Sequence, residues 1–379
     1  MIPLFKVFMS PGASQKAAAV LQSGYIGQGP VVEQFEQALR ERFEHDYVLT
    51  TNSCTSALHL ALHLLKQGSG QWPGLVTGDE VLTSPVTCVA TNWPILANGL
   101  RIKWVDVSES DLNLDLQDLD RKLTPSTKVI ILVHWGGNPI DLDRVRAIQD
   151  RAEDQFGFRP AVVEDCAHAF GSTYKSRALG THGNIACYSF QAIKSLTCGD
   201  GGALLLPTQE LFERARLLRW YGMNRAGQGG KLDPPQGVTE WGFKFHMNDI
   251  NAAIGLENLK VVDAQVIRKH QENADYLRHN LANIPGVTLL SDQAATRSAH
   301  WIFTLRVKER PAFIQKLSDA GIEAHSVHHR NDKYECVDDY RVPLPVLDRT
   351  DPTRVCIPCG WWVSEKDRAH IVSTIKAGW

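Results

Sequence analysis

The stretch Val162-Val163-Glu164-Asp165-Cys166-Ala167-His168, continued by Cys187-Tyr188-Ser189-Phe190-Gln191-Ala192-Ile193-Lys194 and Gly199-Asp200-Gly201-Gly202, decides the fold. Two short runs within and beside it, residues 161–163 and 186–190, are apolar at nearly every position rather than at alternate ones. That is the pattern of strands buried on both faces of a parallel sheet. The first run ends in a carboxylate, Asp165. The second passes through Ser189 to Lys194, which stands just past the strand end and before a glycine-rich turn. In open α/β sheets the carboxyl ends of the strands are where ligands bind. An acid, a hydroxyl and an amine delivered there suit several chemistries, of which a Schiff-base lysine with a pyridinium partner is one.

Working outward, strands alternate with helices. Gly24-Tyr25-Ile26-Gly27-Gln28-Gly29-Pro30 is a loop leading into a helix over 32–43, where Val32, Phe35, Leu39 and Phe43 recur at helical spacing. A strand at 47–50 is followed by Thr51-Asn52-Ser53-Cys54-Thr55-Ser56, which opens a helix over 57–65. Hydroxyls there cap free backbone N–H groups, and the same groups and the helix dipole would hold a phosphate. Standing alone, the cluster reads as plain capping. Strands follow at 80–83 and 101–107, with a helix over 87–96 bent near Pro94, then a strand at 129–133 and a helix over 141–153. This order predicts a doubly wound α/β domain. Neither a Gly-x-Gly-x-x-Gly fingerprint nor a Gly-x-x-x-x-Gly-Lys-Ser/Thr loop occurs in the expected place, which argues against a nicotinamide or ATP enzyme.

After Lys194 the reading is a return strand at 203–206 and a helix over 211–220. Residues 223–242, with Gly227-Gln228-Gly229-Gly230 and Pro234-Pro235, form the longest irregular stretch, a kind of loop that is often functional. A long helical region over about 248–281 connects a large domain, 1–255, to a smaller α+β domain, 256–379. The smaller domain is expected to have strands at 301–307 and 323–327 and helices over 311–320 and 365–376.

The formal net charge of −2 gives no electrostatic case for nucleic acid or an anionic membrane surface. No apolar run approaches the ~20 residues that span a bilayer, and Met1-Ile2-Pro3-Leu4-Phe5-Lys6 lacks a signal peptide's pattern. The eight cysteines are scattered through apolar segments, which suits reduced thiols in a cytoplasmic enzyme.

With these residues in place, the chain resembles the PLP-dependent sugar aminotransferases of the DegT–DnrJ–StrS group, of fold-type I. The likeness covers nearly the whole length. It rests on Gly27-Gln28-Gly29-Pro30, Thr55-Ser56-Ala57-Leu58, Gly78-Asp79-Glu80-Val81, Val133-His134 with Gly136-Gly137 and Asp141, and Glu164-Asp165-Cys166-Ala167-His168-Ala169. It continues through Ser189-Phe190, Lys194 and Gly199-Asp200-Gly201-Gly202 to Asn251-Ala252-Ala253-Ile254-Gly255. Each motif is weak alone, but their joint order is specific. The resemblance implies a large domain with a mostly parallel, seven-stranded-type sheet between helices.

By the same resemblance, Lys194 would bind pyridoxal 5'-phosphate through its amine and shuttle a proton between coenzyme and substrate. Asp165 would pair with the pyridine nitrogen. His168 occupies a position where relatives have glutamine, beside the ring oxygen, and an imidazole there adds pH dependence. Thr55, Ser56 and Ser189 fall on phosphate-binding positions. Cys88 stands where many relatives place an aromatic over the coenzyme ring, so stacking is softer or comes from another residue. Lys244, in Gly242-Phe243-Lys244-Phe245-His246-Met247, replaces an asparagine that in relatives reaches the phosphate of the neighbouring subunit. A shared site implies a homodimer. The implied reaction carries an amino group from L-glutamate to a nucleotide-linked keto-sugar, such as a 4-keto-6-deoxyhexose, in amino-sugar or polysaccharide biosynthesis. A keto-cyclitol or other non-nucleotide ketone is an alternative acceptor, and a non-catalytic PLP- or sugar-binding sensor is an alternative of another class.

Three further features read as structural. His325, His328 and His329 match no trusted metal spacing and belong to the small domain or an interface. Cys356-Ile357-Pro358-Cys359 lacks a second cysteine pair. Asp200 belongs to the turn that follows Lys194.

Overall fold

The computed structural model describes residues 1–224 and 237–379, so Gly227-Gln228-Gly229-Gly230 and Pro234-Pro235 lie outside the described residues. Seven strands form the main sheet in the order Val48–Thr51, Gly202–Leu205, Ile185–Ser189, Ala161–Asp165, Thr127–Val133, Glu80–Thr83, Arg101–Trp104. All neighbours pair in parallel except at Gly202–Leu205, which runs antiparallel to both its partners. The lack of alternation in these strands has a simple cause. Leu82, Ile130, Leu132 and Val162 pack into the core on one face, with Val32, Phe35 and Leu39 of the helix Pro30–Phe43. Their neighbours Val81, Val129, Ile131 and Val163 pack into the core on the other face, with Leu58 and Leu62 of the helix Cys54–Leu64. Successive strand residues face opposite ways, and both faces are covered.

The register sets the site. Asp165 stands opposite Val133 on one side and Cys187 on the other. Gly202 stands opposite both Ser189 and Thr51. The carboxyl ends of six strands and the start of the antiparallel one therefore meet at one edge. The helix Pro30–Phe43 is capped from a distance, because Asp249 accepts the amides of Gly29 (2.8 Å) and Val32 (3.0 Å).

The C-terminal region builds a second sheet, Val287–Leu289, Phe303–Val307 and Arg354–Ile357, all antiparallel. Its core holds Leu277, Leu281, Phe303, Leu305, Phe313 and Ile371. The first and last of these strands carry no clear sequence pattern and were not expected. The predicted strand at 323–327 does not form: His325 makes a single bridge to Cys356. The carbonyls of Val327 and His328 accept instead from the buried Arg354 guanidinium, at 2.5 and 2.9 Å, and His328 turns the chain away at φ +57°. The helical region over 248–281 is not continuous either. It is Asp249–Leu259, a π-helical turn Asp263–Ile267, then Arg268–Leu281. The break lets one run serve two cores, since Val262, Val266 and Ile267 join the sheet's core whereas Ala274, Leu277 and Leu281 join the C-terminal one. The helix expected over 87–96 runs Val89–Ala97, with Pro94 inside it and Cys88 at its N-cap. The strand expected at 101–107 ends at Trp104, and that expected at 301–307 starts at Phe303.

Candidate active site

Asp165 ends its strand 4% exposed, and both its carboxylate oxygens are engaged. Oδ2 accepts from Thr91 Oγ1 at 2.6 Å, and Oδ1 accepts from the Ala167 amide at 3.0 Å. Thr87 Oγ1 lies 2.7 Å from Thr91 Oγ1 and extends the hydroxyl chain. Burial pushes the Asp165 carboxyl up from its ordinary value, while Thr91, the Ala167 amide and the Lys194 charge work against that rise. Donors on both oxygens favour the ionised carboxylate.

Lys194 follows the turn in which its own amide bonds Gln191 O at 2.9 Å. Its Nζ lies 3.8 Å from the ring centroid of Trp301. Burial brings its pKa down from the lysine value to about 8, with Asp165, Cys88 and Cys54 opposing. A lysine so placed is neutral part of the time at neutral pH, as a nucleophilic amine requires.

The phosphate-type end is assembled by Gly202. A Cβ on this residue would stand 2.5 Å from Cys54 N and 2.6 Å from Ser53 C. Glycine alone lets the start of the helix Cys54–Leu64 close onto the strand end that carries Ser189. Ser53 caps the helix by accepting the Ser56 amide at 3.1 Å, and its Oγ lies 3.0 Å from Ser56 Oγ. The amides of Cys54 and Thr55 are the remaining first-turn donors. Thr55 is exposed, whereas Ser56 and Ser189 are buried.

His168 is buried, and its Nδ1 has no partner. Its ring lies parallel to Trp301, with centroids 4.0 Å apart and planes 13° apart, and parallel to His328 at 5.7 Å. Burial, then the Lys194 and His328 charges, hold its pKa well below the ordinary imidazole value. It stays neutral across the physiological range, so the pH dependence expected of an imidazole here does not come from its titration. Cys88 is half-buried ahead of Val89, on the same wall. Lys244 is exposed beside the phosphate-type end, where Asn52 Nδ2 donates to its carbonyl at 3.3 Å and the Asn52 amide to Phe245 O at 2.7 Å.

The site thus unites Asp165, His168, Lys194, Ser189, Ser56, Thr55 and Cys88 at one sheet edge, with Lys244 on its rim. Sequence reasoning missed Thr91, Trp301 and His328. Thr87 and Thr91 carried a legible signal, two hydroxyls one helical turn apart. Trp301 and His328 carried none; His328, read as a small-domain or interface residue, places its ring parallel to His168 at 5.7 Å.

Among the described residues, one buried group has a metal-like composition, His134 with Glu164 and Cys166. Two of the three, His134 and Glu164, are already committed to hydrogen bonds. His134 Nδ1 accepts the Ile140 amide at 3.1 Å, so Nε2 carries the proton toward Glu164 at 3.0 Å, and Glu164 Oε1 accepts from Asn184. It is a polar pair within the core.

The arrangement fits a phosphorylated pyridine aldehyde. A helix start and two buried hydroxyls suit its phosphate, a buried carboxylate its ring nitrogen, an unpartnered imidazole nitrogen its ring oxygen, and a depressed amine its carbonyl. Residues 10–376 match the model of the DegT/DnrJ/EryC1/StrS aminotransferase family. The chain is similar to AtS13 from Actinomadura melliaura, with 49% identity over 100% of this chain and 99% of that one, and a TM-score of 0.93. It is similar also to the sugar aminotransferase CalS13 from Micromonospora echinospora, with 48% identity, full coverage of both chains and a TM-score of 0.93. The spore coat polysaccharide biosynthesis protein SpsC of Bacillus subtilis is 33% identical over 80% of this chain and 75% of its own. The chain therefore belongs to the DegT/DnrJ/EryC1/StrS family, as a sugar aminotransferase that works with pyridoxal 5'-phosphate.

Proposed function

We propose that this enzyme moves the amino group of L-glutamate to a nucleotide-linked keto-sugar, a 4-keto-6-deoxyhexose, for the biosynthesis of an amino-sugar-containing polysaccharide. The observation that carries the transfer chemistry is the amine of Lys194, its pKa lowered to about 8, in the electrostatic reach of a buried Asp165. When bound, the coenzyme supplies the electron sink that makes the substrate's Cα–H acidic. Lys194 would hold the coenzyme through its amine, and the same amine would carry the proton to and from the substrate carbon. Asp165 holds the proton on the pyridine nitrogen. His168 directs Nδ1 to the ring oxygen. Thr55, Ser56 and Ser189 bind the phosphate, together with the first-turn amides. Cys88 would line the coenzyme's side of the site, with a softer contact than an aromatic residue gives. Lys244 lies on the rim where its charge serves the phosphate of a partner subunit, and the enzyme acts as a cytoplasmic homodimer with shared sites.

The similarity to CalS13 and to SpsC supports a sugar acceptor and a polysaccharide product. The test is a half-reaction screen. The amine form of the enzyme is mixed with a panel of nucleotide keto-sugars, and restoration of the aldehyde-form spectrum is followed. Restoration by a 4-keto-6-deoxyhexose supports the reading; restoration only by a non-nucleotide ketone such as a keto-cyclitol overturns it.

A further inference from the structure

Trp301 lies before the strand Phe303–Val307, far in sequence from every other residue at the Lys194 turn. Its indole N–H donates to the carbonyl of Ile193 at 2.8 Å, the residue immediately before Lys194. Its ring face carries Lys194 Nζ at 3.8 Å. The ring also stacks on His168 at 4.0 Å and on Phe5 at 5.0 Å, at interplanar angles of 13° and 26°. Trp301 is 2% exposed, so this position leaves it no freedom to swing away.

We propose that Trp301 is a positioning residue for Lys194, holding the ammonium against its ring face and anchoring the preceding backbone through its indole N–H. A cation over an indole face is attracted by the ring quadrupole, more so when water is excluded. The interaction favours the charged amine and opposes burial, which favours the neutral one. The other titratable groups facing Nζ are Asp165 from its strand, Cys54 from the helix start, Cys88 ahead of the next helix, and the imidazoles of His168 and His328. Asp165 and the two thiols act in the same direction as the ring, and burial keeps both imidazoles neutral. Two contacts from one side chain thus fix where the amine stands and how readily it sheds its proton before the coenzyme arrives.

The proposal rests on the reading of Lys194 only for its consequence in catalysis, since the apoprotein tests it directly. Apoprotein is labelled competitively with acetic anhydride across pH, and the Lys194 peptide is quantified by mass spectrometry. In the parent the midpoint of Lys194 reactivity is expected at about 8. Trp301→Leu keeps apolar bulk but removes the ring face, and the midpoint should fall by roughly 0.5 to 1 pH unit. Trp301→Phe keeps a face and loses the N–H donor; its midpoint should move less, while capture of pyridoxal 5'-phosphate by the apoprotein slows about threefold to tenfold for want of the Ile193 anchor. A Trp301→Leu midpoint equal to or above the parent's overturns the proposal. Should that variant not fold, fluorinated tryptophans, which weaken the ring's negative face at nearly constant shape, replace it. The midpoint must then fall in step with fluorination, and a flat dependence overturns the proposal. A protein that passes these tests yet transfers no amino group would leave this inference standing and remove the proposed function instead.

Discussion

Thr91 Oγ1 donates to Asp165 Oδ2 at 2.6 Å, from the helix Val89–Ala97 to the end of the strand Ala161–Asp165. The bond supplies a proton donor where burial otherwise drives the carboxyl toward its neutral form. Thr91→Val keeps the shape and removes the donor. Asp165 should then be neutral to higher pH, and its grip on the pyridine nitrogen should weaken by about 1–2 kcal/mol, or roughly tenfold in coenzyme affinity. Titration of the apoprotein with pyridoxal 5'-phosphate, followed by absorbance, measures it.

Lys194 supplies the amine on which the whole cycle depends. Lys194→Ala should abolish turnover, and purified parent should show visible absorbance that borohydride bleaches. Activity near the parent level in Lys194→Ala would remove the residue's role.

The same lysine imposes a pH signature on the apoprotein. Its native value of about 8 lies below the ordinary 10.5, so between these pH values the native state binds fewer protons than the unfolded state. The cost of burying the ammonium is therefore present below about pH 8, and this group makes the fold more stable as pH rises from there toward 10.5. The rate of coenzyme capture should climb through the same midpoint. Chemical unfolding and stopped-flow capture across pH 7–10 check both signs, with Lys194→Ala as the reference that lacks the dependence.

Gly202 is the point of closest approach between the strand Gly202–Leu205 and the start of the helix Cys54–Leu64. In Gly202→Ala the new Cβ would sit 2.5 Å from Cys54 N, against backbone that has no side chain to swing aside. The helix start must retreat from Ser189, and coenzyme affinity should fall at least tenfold. Equilibrium dialysis would read the loss, and unchanged affinity would show that the approach is not needed.

Arg219 and Glu36 form a buried pair at 2.5 Å, with the Thr50 amide and hydroxyl also donating to Glu36 Oε1 at 2.8 Å. Arg219→Met removes the buried, closer charge partner and leaves Glu36 only the part-exposed Arg40, whose Nη2 stands 3.7 Å from Oε2. Stability should drop by about 3–5 kcal/mol, seen as a lower midpoint in urea.

Much of this was legible in the chain itself, for a physical reason. Strands buried on both faces must be apolar throughout, so residues 161–163 and 129–133 announced themselves. Lys194, Asp165 and Ser189 could be placed at one edge because parallel strands deliver their ends together. What could not be read were contacts made across the fold. The strand Arg354–Ile357 begins with an arginine that is 1% exposed, a residue type that signals surface until its carbonyl partners at Val327 and His328 are seen. The strand expected at 323–327 failed for the same reason, because at its end the Arg354 side chain donates to the carbonyls of Val327 and His328, in place of a neighbouring strand's amides. Trp301 has apolar neighbours and a generic pattern; only the fold brings it to Lys194.

Phe5 stacks on Trp301, and the Leu4 amide bonds Glu323 across a separation of 319 positions. The wall that holds the reactive amine therefore uses the first few residues and a segment near the end of the chain at once. During synthesis, Phe5 emerges long before the tryptophan it will stack on, and Lys194 waits for the same ring. Competence to take up the coenzyme in this geometry is a late event, reached only after Trp301 has left the ribosome. A nascent chain truncated before Trp301 should carry a complete main sheet and still leave its lysine without a ring to rest on.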